Sequence, residues 1–184
     1  MFQFKKPSVN WLSVGYQIFG EEGPEGIQVE RLSRILQVNK SSFYHFFVNK
    51  EMYIEELIRL HRQYGEELEQ RVWKLDSFNP GYIQLLIEYR DTILFHRQLL
   101  RNSQFPEFKN VYHSINSKIE LAILPLWKQE VGLPDATAQA LFEIIRDTFF
   151  GRMNHKNFTA DFVYGVLEEA KGLISQIKQR EDIG

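Results

Sequence analysis

Apolar residues recur at spacings of three and four along almost the whole 184-residue chain, and this repeat constrains the fold more than any other feature. An α-helix has one apolar face at that spacing, whereas a half-buried β-strand alternates polar and apolar residues. No strict alternation long enough for a strand occurs. With 43% hydrophobic and 25% charged residues, the chain can also bury a sizeable core. The sequence therefore predicts an all-α globular protein.

Turn and capping signals divide the first part of the chain into short helices. Three helices are expected before Val48, the second of them over residues 29–36. Asn39 is a good N-cap for the third helix, which we expect to end near Phe46, and Asn49 is expected to cap a longer fourth helix. Three short helices within about forty residues are compatible with a small helical domain.

Longer helices are expected in the rest of the chain. One helix is expected to carry the apolar residues from Tyr82 to Leu100. Later helices are expected near residues 106–131, 136–153 and 159–180. Pro125 should kink or split the first of these three, because proline removes a backbone donor and clashes with the preceding turn.

Between the second and third helices only residues 37–39 remain, which is a tight turn. This order of a helix, a tight turn and a short helix is typical of DNA-binding proteins in which the short helix lies in the major groove. Helical corners of proteins that never touch nucleic acid have the same layout, so this pattern alone leaves both readings open. We expect Phe43 and Phe47 to face the core, and Tyr44 and His45 to face outward.

The third helix and the residues after it carry a more specific pattern. Tyr44, Phe47, Lys50 and Glu51 have the spacing Tyr-x-x-Phe-x-x-Lys-Glu, and a long helix follows. With this pattern, residues 11–51 resemble the N-terminal domain of the TetR family, the tetracycline-repressor-like transcriptional regulators. The resemblance raises DNA binding above the alternative of a generic helical corner.

Three positions depart from the family pattern. Gln37 stands where the turn glycine is usual, Asn39 replaces the cap serine, and Phe46 stands where histidine is common. Asparagine keeps the capping chemistry of serine. Gln37 requires either a left-handed conformation, which costs about 1 kcal/mol, or a slightly different turn.

The resemblance implies a helix-turn-helix three-helix DNA-binding domain at residues 1–48 and a helical ligand-binding and dimerisation domain at residues 49–184. The implied partners are a double-stranded palindromic DNA operator, an unidentified small-molecule effector and a second copy of the chain, as in a repressor. For the basic arm with Lys5 and Lys6 two interpretations stay open: a contact to an adjacent groove and, as the favoured one, a frayed N-terminal tail. The implied contacts to phosphates and to the groove are Gln28, Lys40, Ser41, Ser42, Tyr44, His45 and Lys50.

Two further sets of residues are candidates for the effector pocket and for the dimer interface. Polar or aromatic residues on otherwise apolar helices suit a pocket in which a few polar groups orient an apolar ligand. They are Tyr64, Tyr89, Tyr112, His113, Asn116 and Trp127. The last two helices are more apolar than one core requires, which indicates either a four-helix seam between two copies or simple burial in the monomer. The seam residues are Phe142, Ile145, Phe149, Val166, Ala170 and Leu173.

Composition argues against other classes of protein. The chain has no cysteine, and its five histidines lack the Glu-x-x-His and His-Glu-x-x-His metal patterns, so we expect no metal and no cofactor. No apolar run approaches the roughly 20 residues of a membrane span, and no signal peptide is evident, so a cytoplasmic protein is expected. A helical interaction protein without DNA binding is the main alternative, and an all-helical enzyme is the least favoured one.

Overall fold

The computed structural model describes residues 6–181, and the side chains of residues 10–179, as a protein built from α-helices. This described range contains no strand, which confirms the predicted all-α class. In chain order the helices are α1 Lys6–Glu22, α2 Val29–Leu36, α3 Ser41–Phe46, α4 Lys50–Val72, α5 Ile83–Glu88, α6 Arg90–Arg101, α7 Pro106–Val131, α8 Asp135–Arg152 and α9 Ala160–Glu181.

Local signals set several of these boundaries as predicted. Helix α2 has the predicted bounds. The side chain of Asn49 accepts a hydrogen bond from the Met52 backbone N–H at 2.8 Å, so it caps α4. Helix α1 ends before Gly23, which has a φ of 77° and leads into a single 3-10 turn at Pro24–Gly26. These boundaries depend on side chains close to them in sequence.

Two expectations about helix continuity were wrong in part. The single helix expected from Tyr82 to Leu100 is broken at Tyr89, whose φ of −90° and ψ of 27° separate α5 from α6. Helix α7 is not split at Pro125 but continues through it. Pro125 and Leu121 are both exposed, so the Leu121 carbonyl that loses its donor lies on the solvent side of the helix.

The described residues divide into two compact units. Unit 1 consists of the described residues up to Glu66 together with Asp91–Ile115. Unit 2 consists of Glu67–Arg90 and the described residues from Asn116 onward. Helices α1–α3 therefore share one compact unit with nearly all of α6. The functional division at residue 48 remains a prediction, because the compactness of the units does not test it.

In unit 1, α1 approaches α4 closely at Gly15. A Cβ atom at Gly15 would lie 1.7 Å from Tyr53 Oη, so only glycine leaves room for the tyrosine. The Tyr53 hydroxyl donates to the Trp11 carbonyl at 2.5 Å, and both side chains are buried. One stripe of α1 is buried: Trp11, Leu12, Gly15, Ile18 and Phe19.

A buried polar chain joins α1, α4 and α6 in unit 1. Tyr16 Oη lies 2.7 Å from His61 Nδ1, and His61 Nε2 lies 3.2 Å from His96 Nδ1. The Phe95 ring stacks on both Tyr16 and His61, with ring centroids 4.4 and 4.5 Å apart. The Tyr112 ring of α7 stacks on His96 at 4.6 Å. Both histidines are thus enclosed by hydrogen-bonding and aromatic neighbours.

Burial keeps these two histidines neutral. Desolvation is the largest cause that lowers the pKa of His61 well below its ordinary value, and the neighbouring His96 lowers it further. Desolvation lowers the pKa of His96 to about 3. The folded protein therefore binds fewer protons than the unfolded chain when the pH is below about 6.5, the ordinary pKa of histidine. Its stability must then fall as the pH falls from that value toward the folded pKa.

We expect the replacement of His96 by asparagine, which keeps an acceptor near the position of Nδ1, to reduce this acid destabilisation. The free energy of unfolding, measured with urea at about pH 7 and about pH 5, should fall less in His96→Asn than in the wild type, by about 1 kcal/mol per pH unit. His113→Asn, at an exposed position in the same unit, is the matched control. Equal pH dependence in His96→Asn and the wild type would contradict this account.

Unit 2 has its own anchored aromatic core. Trp127 is buried and its Nε1–H donates to the Ala138 carbonyl of α8 at 2.8 Å. The Trp127 ring contacts Phe78 and Phe142, with ring centroids 4.9 and 5.9 Å apart. The Arg90 guanidinium donates to the backbone carbonyl of His155 at 2.6 Å and thereby fixes the segment before α9.

Candidate nucleic-acid interface

The turn between α2 and α3 contains a residue in the left-handed conformation. Gln37 has a φ of 55° and a ψ of 39°. Its N–H donates to the Arg34 carbonyl at 3.2 Å, and the Val38 N–H donates to the Ser33 carbonyl at 3.0 Å. These bonds satisfy the last carbonyls of α2 in the way that a glycine usually does at a helix C-terminus. Of the two predicted alternatives, the left-handed conformation is the one that occurs.

The start of α3 is capped by Asn39. The Asn39 side-chain oxygen accepts a hydrogen bond from the Ser41 N–H at 3.1 Å, and its carbonyl accepts one from the Ser42 N–H at 2.9 Å. Asparagine therefore performs the predicted capping role in place of serine. The helix begins at Ser41, and Lys40, which lies between the capping Asn39 and this first residue, is exposed.

The two faces of α3 differ as predicted. Phe43 is fully buried and its ring lies 5.3 Å from the Trp11 ring. Phe47 is also buried. On the outer face Tyr44 is 51% exposed and His45 is exposed. One side of α3 is therefore fixed in the core of unit 1, while the other side presents polar groups to solvent.

The structure places most of the predicted DNA contacts on the surface. Gln28, Lys40, Ser41, Tyr44 and His45 are exposed. Lys50 is partly buried at the first residue of α4, and Ser42 is partly buried within α3. The Ser42 Oγ atom is buried and has no hydrogen-bond partner among the described residues. Lys5 lies outside the described residues, as does the side chain of Lys6.

A groove of about 510 Å³ runs beside the exposed face of α3. It contains three of the predicted contacts, together with apolar side chains from α1, α2 and the turn. The residues that line it are Asn10, Trp11, Leu36, Val38, Ser41, Ser42, His45 and Phe46. The Phe46 ring therefore contributes an apolar surface where the family pattern commonly has a histidine.

Two ion pairs within the helix-turn-helix were not found from the sequence. Arg31 donates two hydrogen bonds to the Glu22 carboxylate, at 2.5 and 2.6 Å. Lys40 Nζ donates to Glu30 Oε1. The Lys40–Glu30 hydrogen bond lowers the pKa of the Glu30 carboxyl and raises that of the Lys40 ammonium group. No fixed helical spacing marks these pairs, because each crosses a turn.

The candidate effector-pocket residues are divided between the two units. In unit 1, the Tyr64 ring contacts Tyr16 at 5.2 Å, Tyr112 stacks on His96, and His113 is exposed. In unit 2, hydrogen bonds join three of the candidates to neighbours: Tyr89 Oη to Glu67 at 2.9 Å, Asn116 Nδ2 to Glu120 at 3.3 Å, and Trp127 Nε1 to the Ala138 carbonyl. A pocket formed by these residues remains a prediction.

The candidate dimer residues lie in α8 and α9 of unit 2. Phe142, Phe149, Val166 and Ala170 are buried within the single chain, and Ile145 is partly buried. The exposed apolar surface on these helices includes the following residues: Ile144 at 60%, Leu173 at 47% and Tyr164 at 37% exposure. A Cβ atom at Gly165 or Gly172 would meet no neighbour within 4 Å. The role of these helices in a dimer remains a prediction.

Two other features are absent from the described residues. Within residues 6–181, no group of three or more histidine and acidic side chains is arranged to hold a metal ion. Among the helices of that range, none has the length and apolar character to cross a membrane.

Comparisons with known proteins agree with this helix-turn-helix architecture. Residues 12–57 match the family described as bacterial regulatory proteins, tetR family. No curated protein matches the chain. The matched residues include the helix-turn-helix formed by α2, the tight turn and the exposed short helix α3. The match confirms the predicted resemblance of the N-terminal part of the chain to the TetR family.

Solved structures of regulators share the fold of the chain. A transcriptional regulator described as TerR/AcrR family, from Aquifex aeolicus VF5, has a TM-score of 0.57 at 20% identity, over 90% of this chain and 98% of that one. A protein from Mesorhizobium loti described as TetR-family has a TM-score of 0.56 at 12% identity, over 94% of this chain and 96% of that one. A protein from Rhodococcus sp. described as a TetR-family transcriptional regulator has a TM-score of 0.51 at 16% identity, over 92% of this chain and 95% of that one. At these identities the likeness concerns the fold.

We expect Gln37→Gly to stabilise the protein by up to about 1 kcal/mol, because glycine adopts a positive φ without the steric cost of a Cβ atom. Gln37→Val should destabilise it by a similar amount, because a β-branched residue fits this conformation poorly. Urea denaturation measures both changes. Gln17→Gly, at an exposed position inside α1, is the control and should lower stability. A loss of stability in Gln37→Gly would contradict the strained turn.

Proposed function

We propose that this protein is a ligand-responsive transcriptional regulator that binds a palindromic DNA operator as a homodimer and represses transcription. Helix α3 carries the proposal: Phe43 and Phe47 anchor one face in the core, and Tyr44 and His45 are exposed on the other. A short helix held in this way fits the major groove of DNA. The family match at residues 12–57 supports the same function.

Within this proposal the exposed side chains have two kinds of role. Lys50, Tyr44 and Gln28 contact phosphates on either side of the groove. Ser41 and His45 contact base edges inside the groove. Phosphate contacts fix the position of a protein on the duplex, whereas base-edge contacts carry the sequence information. The two sets of residues should therefore respond differently to substitution.

We expect Lys50→Met to weaken binding to every DNA sequence by a similar factor and to reduce the slope of log Kd against log salt by about 0.9, the contribution of one phosphate contact. Ser41→Ala and His45→Ala should instead change the preference among sequences. Fluorescence anisotropy with selected genomic fragments and random duplexes, at several salt concentrations, measures both effects. Lys109→Met, at an exposed position of α7, is the charge control. Equal losses on selected and random duplexes for Ser41→Ala and His45→Ala would contradict the division of roles.

The proposed dimer is formed by α8 and α9 of two copies. The exposed Ile144 and Leu173 provide apolar surface, and Gly165 leaves open space for the close approach of a second helix. Phe142 and Phe149 support this surface from inside the unit. A symmetric pair of chains would present two copies of α3 to the two halves of a palindrome.

We expect Leu173→Asp to convert the dimer into a monomer and to lower operator affinity strongly, because each monomer then holds only one half-site. Sedimentation equilibrium measures the oligomeric state. Leu121→Asp, the same substitution at an exposed position of α7, is the matched control. Dissociation by Leu121→Asp, with a stable dimer in Leu173→Asp, would place the interface elsewhere.

Effector binding is proposed to act through the spacing of the two copies of α3. Half-sites one helical turn apart require a separation of roughly 34–36 Å, so a ligand that binds better to another separation releases the DNA. Selection of genomic fragments by the full-length protein tests the function as a whole. A DNA-reading dimer enriches a palindromic site, whereas a helical interaction protein without DNA binding enriches none.

A further inference from the structure

Lys40, one of the predicted DNA contacts, is already engaged within its own chain. Its Nζ donates to Glu30 Oε1 in the first turn of α2. The two residues are ten positions apart, and the tight turn at residues 37–39 brings them together. The side chains of Lys40 and Glu30 remain 48% and 64% exposed. A phosphate group can therefore reach the same ammonium group from solvent.

Local interactions favour the charged Glu30 carboxylate and stabilise the helical turn that carries it. After the Lys40 hydrogen bond, a hydrogen bond with the backbone of Glu30 itself is the second cause that lowers the pKa of this carboxyl. A negative charge in the first turn of a helix is also favoured by the helix dipole. The Ser33 hydroxyl donates to the Glu30 carbonyl at 2.9 Å and joins the first turn of α2 to the second. Because its partner Lys40 directly precedes α3, the Glu30 carboxylate lies at the start of that helix.

A carboxylate thus stands among the side chains to which the DNA backbone is proposed to bind. A phosphate and the Glu30 carboxylate have the same charge sign and compete for the same donor. The phosphate must either displace Glu30 from Lys40 or bind beside a like charge, and both alternatives weaken binding. This cost is the same for every DNA sequence, because phosphate contacts carry no sequence information.

We propose that Glu30 is a specificity-determining residue, which competes with the DNA backbone for Lys40 and so weakens sequence-independent binding while base-edge contacts keep their strength. The inference rests on the proposed DNA-binding function. Non-specific binding depends almost wholly on phosphate contacts, whereas operator binding also includes base contacts. Competition by Glu30 for a phosphate contact therefore lowers the affinity of non-specific complexes by a larger fraction than that of operator complexes. A genome offers a large excess of non-specific sites, so this difference matters for occupancy of the operator.

The test compares Glu30→Gln with Glu107→Gln in the full-length protein. Both substitutions remove one negative charge from an exposed side chain of unit 1, but Glu107 lies in α7, outside the helix-turn-helix. Binding to a labelled random-sequence duplex is measured by anisotropy over a range of salt. Glu30→Gln should bind about fivefold more tightly at low salt, with a slope of log Kd against log salt steeper by about 0.9. Glu107→Gln should change neither quantity to that extent.

A second pair of variants tests whether Glu30 acts through Lys40. Lys40→Met should weaken random-duplex binding by a smaller factor in the wild type, where Glu30 competes for the lysine, than in the Glu30→Gln background. In the Glu30→Gln background the same substitution should remove the whole gain in affinity. Without DNA, a titration of the Glu30 carboxyl by carbon NMR should show its pKa rising in Lys40→Met.

The possible outcomes distinguish failure of the proposed role of Glu30 from failure of the proposed DNA-binding function. Equal affinities and salt slopes for Glu30→Gln and Glu107→Gln would overturn the role of Glu30 and leave DNA binding intact. A gain in Glu30→Gln that survives Lys40→Met would also overturn it, because the carboxylate would then act on DNA directly. Absence of random-duplex binding at low salt in the wild type and in every variant would overturn the proposed function, and this inference with it.

Discussion

The hydrogen-bonded chain of Tyr16, His61 and His96 determines how α1, α4 and α6 are arranged in unit 1. A neutral imidazole has one donor and one acceptor, so each buried ring needs a neighbour with the complementary group at the right place. Apolar contacts such as the Phe95 stack stabilise the same helices but tolerate small rotations. Leaving a buried polar group without its partner costs about 1–3 kcal/mol, which penalises other arrangements of the helices. The polar chain therefore adds specificity to the packing.

The C-terminal end of α1 is fastened to α6 in a second way. The Gln98 side chain donates to the carbonyls of Gly20 and Glu21, which the helix itself leaves without donors. A Cβ atom at Gly20 would lie 3.3 Å from the Phe95 backbone nitrogen, so the two helices touch along their backbones. The chain passes from this end of α1 through one turn into α2. A displacement of α6 relative to α1 must therefore either break these bonds or carry the end of α1 with it.

Sequence reasoning succeeded where the deciding interaction is local. The cap formed by Asn49 and the outward face of Tyr44 follow from neighbours within a few positions. Comparison with a family glycine gave the left-handed Gln37 as one of two alternatives. The pairing of His61 with His96 could not be predicted, because no spacing rule joins residues 35 positions apart in different helices. Glu30 was missed for the same reason, since its contact with Lys40 exists only once the turn has formed.

The charges of the helix-turn-helix favour specific side-chain contacts over long-range electrostatic attraction in the proposed DNA binding. The whole chain has a net charge of −2, so it has little long-range attraction for a polyanion. Arg31 is already committed to Glu22, in a paired geometry that orients α2 against the end of α1. Lys40 is committed to Glu30 in the same way. Because these two cations of the helix-turn-helix are paired within the chain, the free energy of the proposed DNA complex must come in larger part from side chains that fit a particular groove.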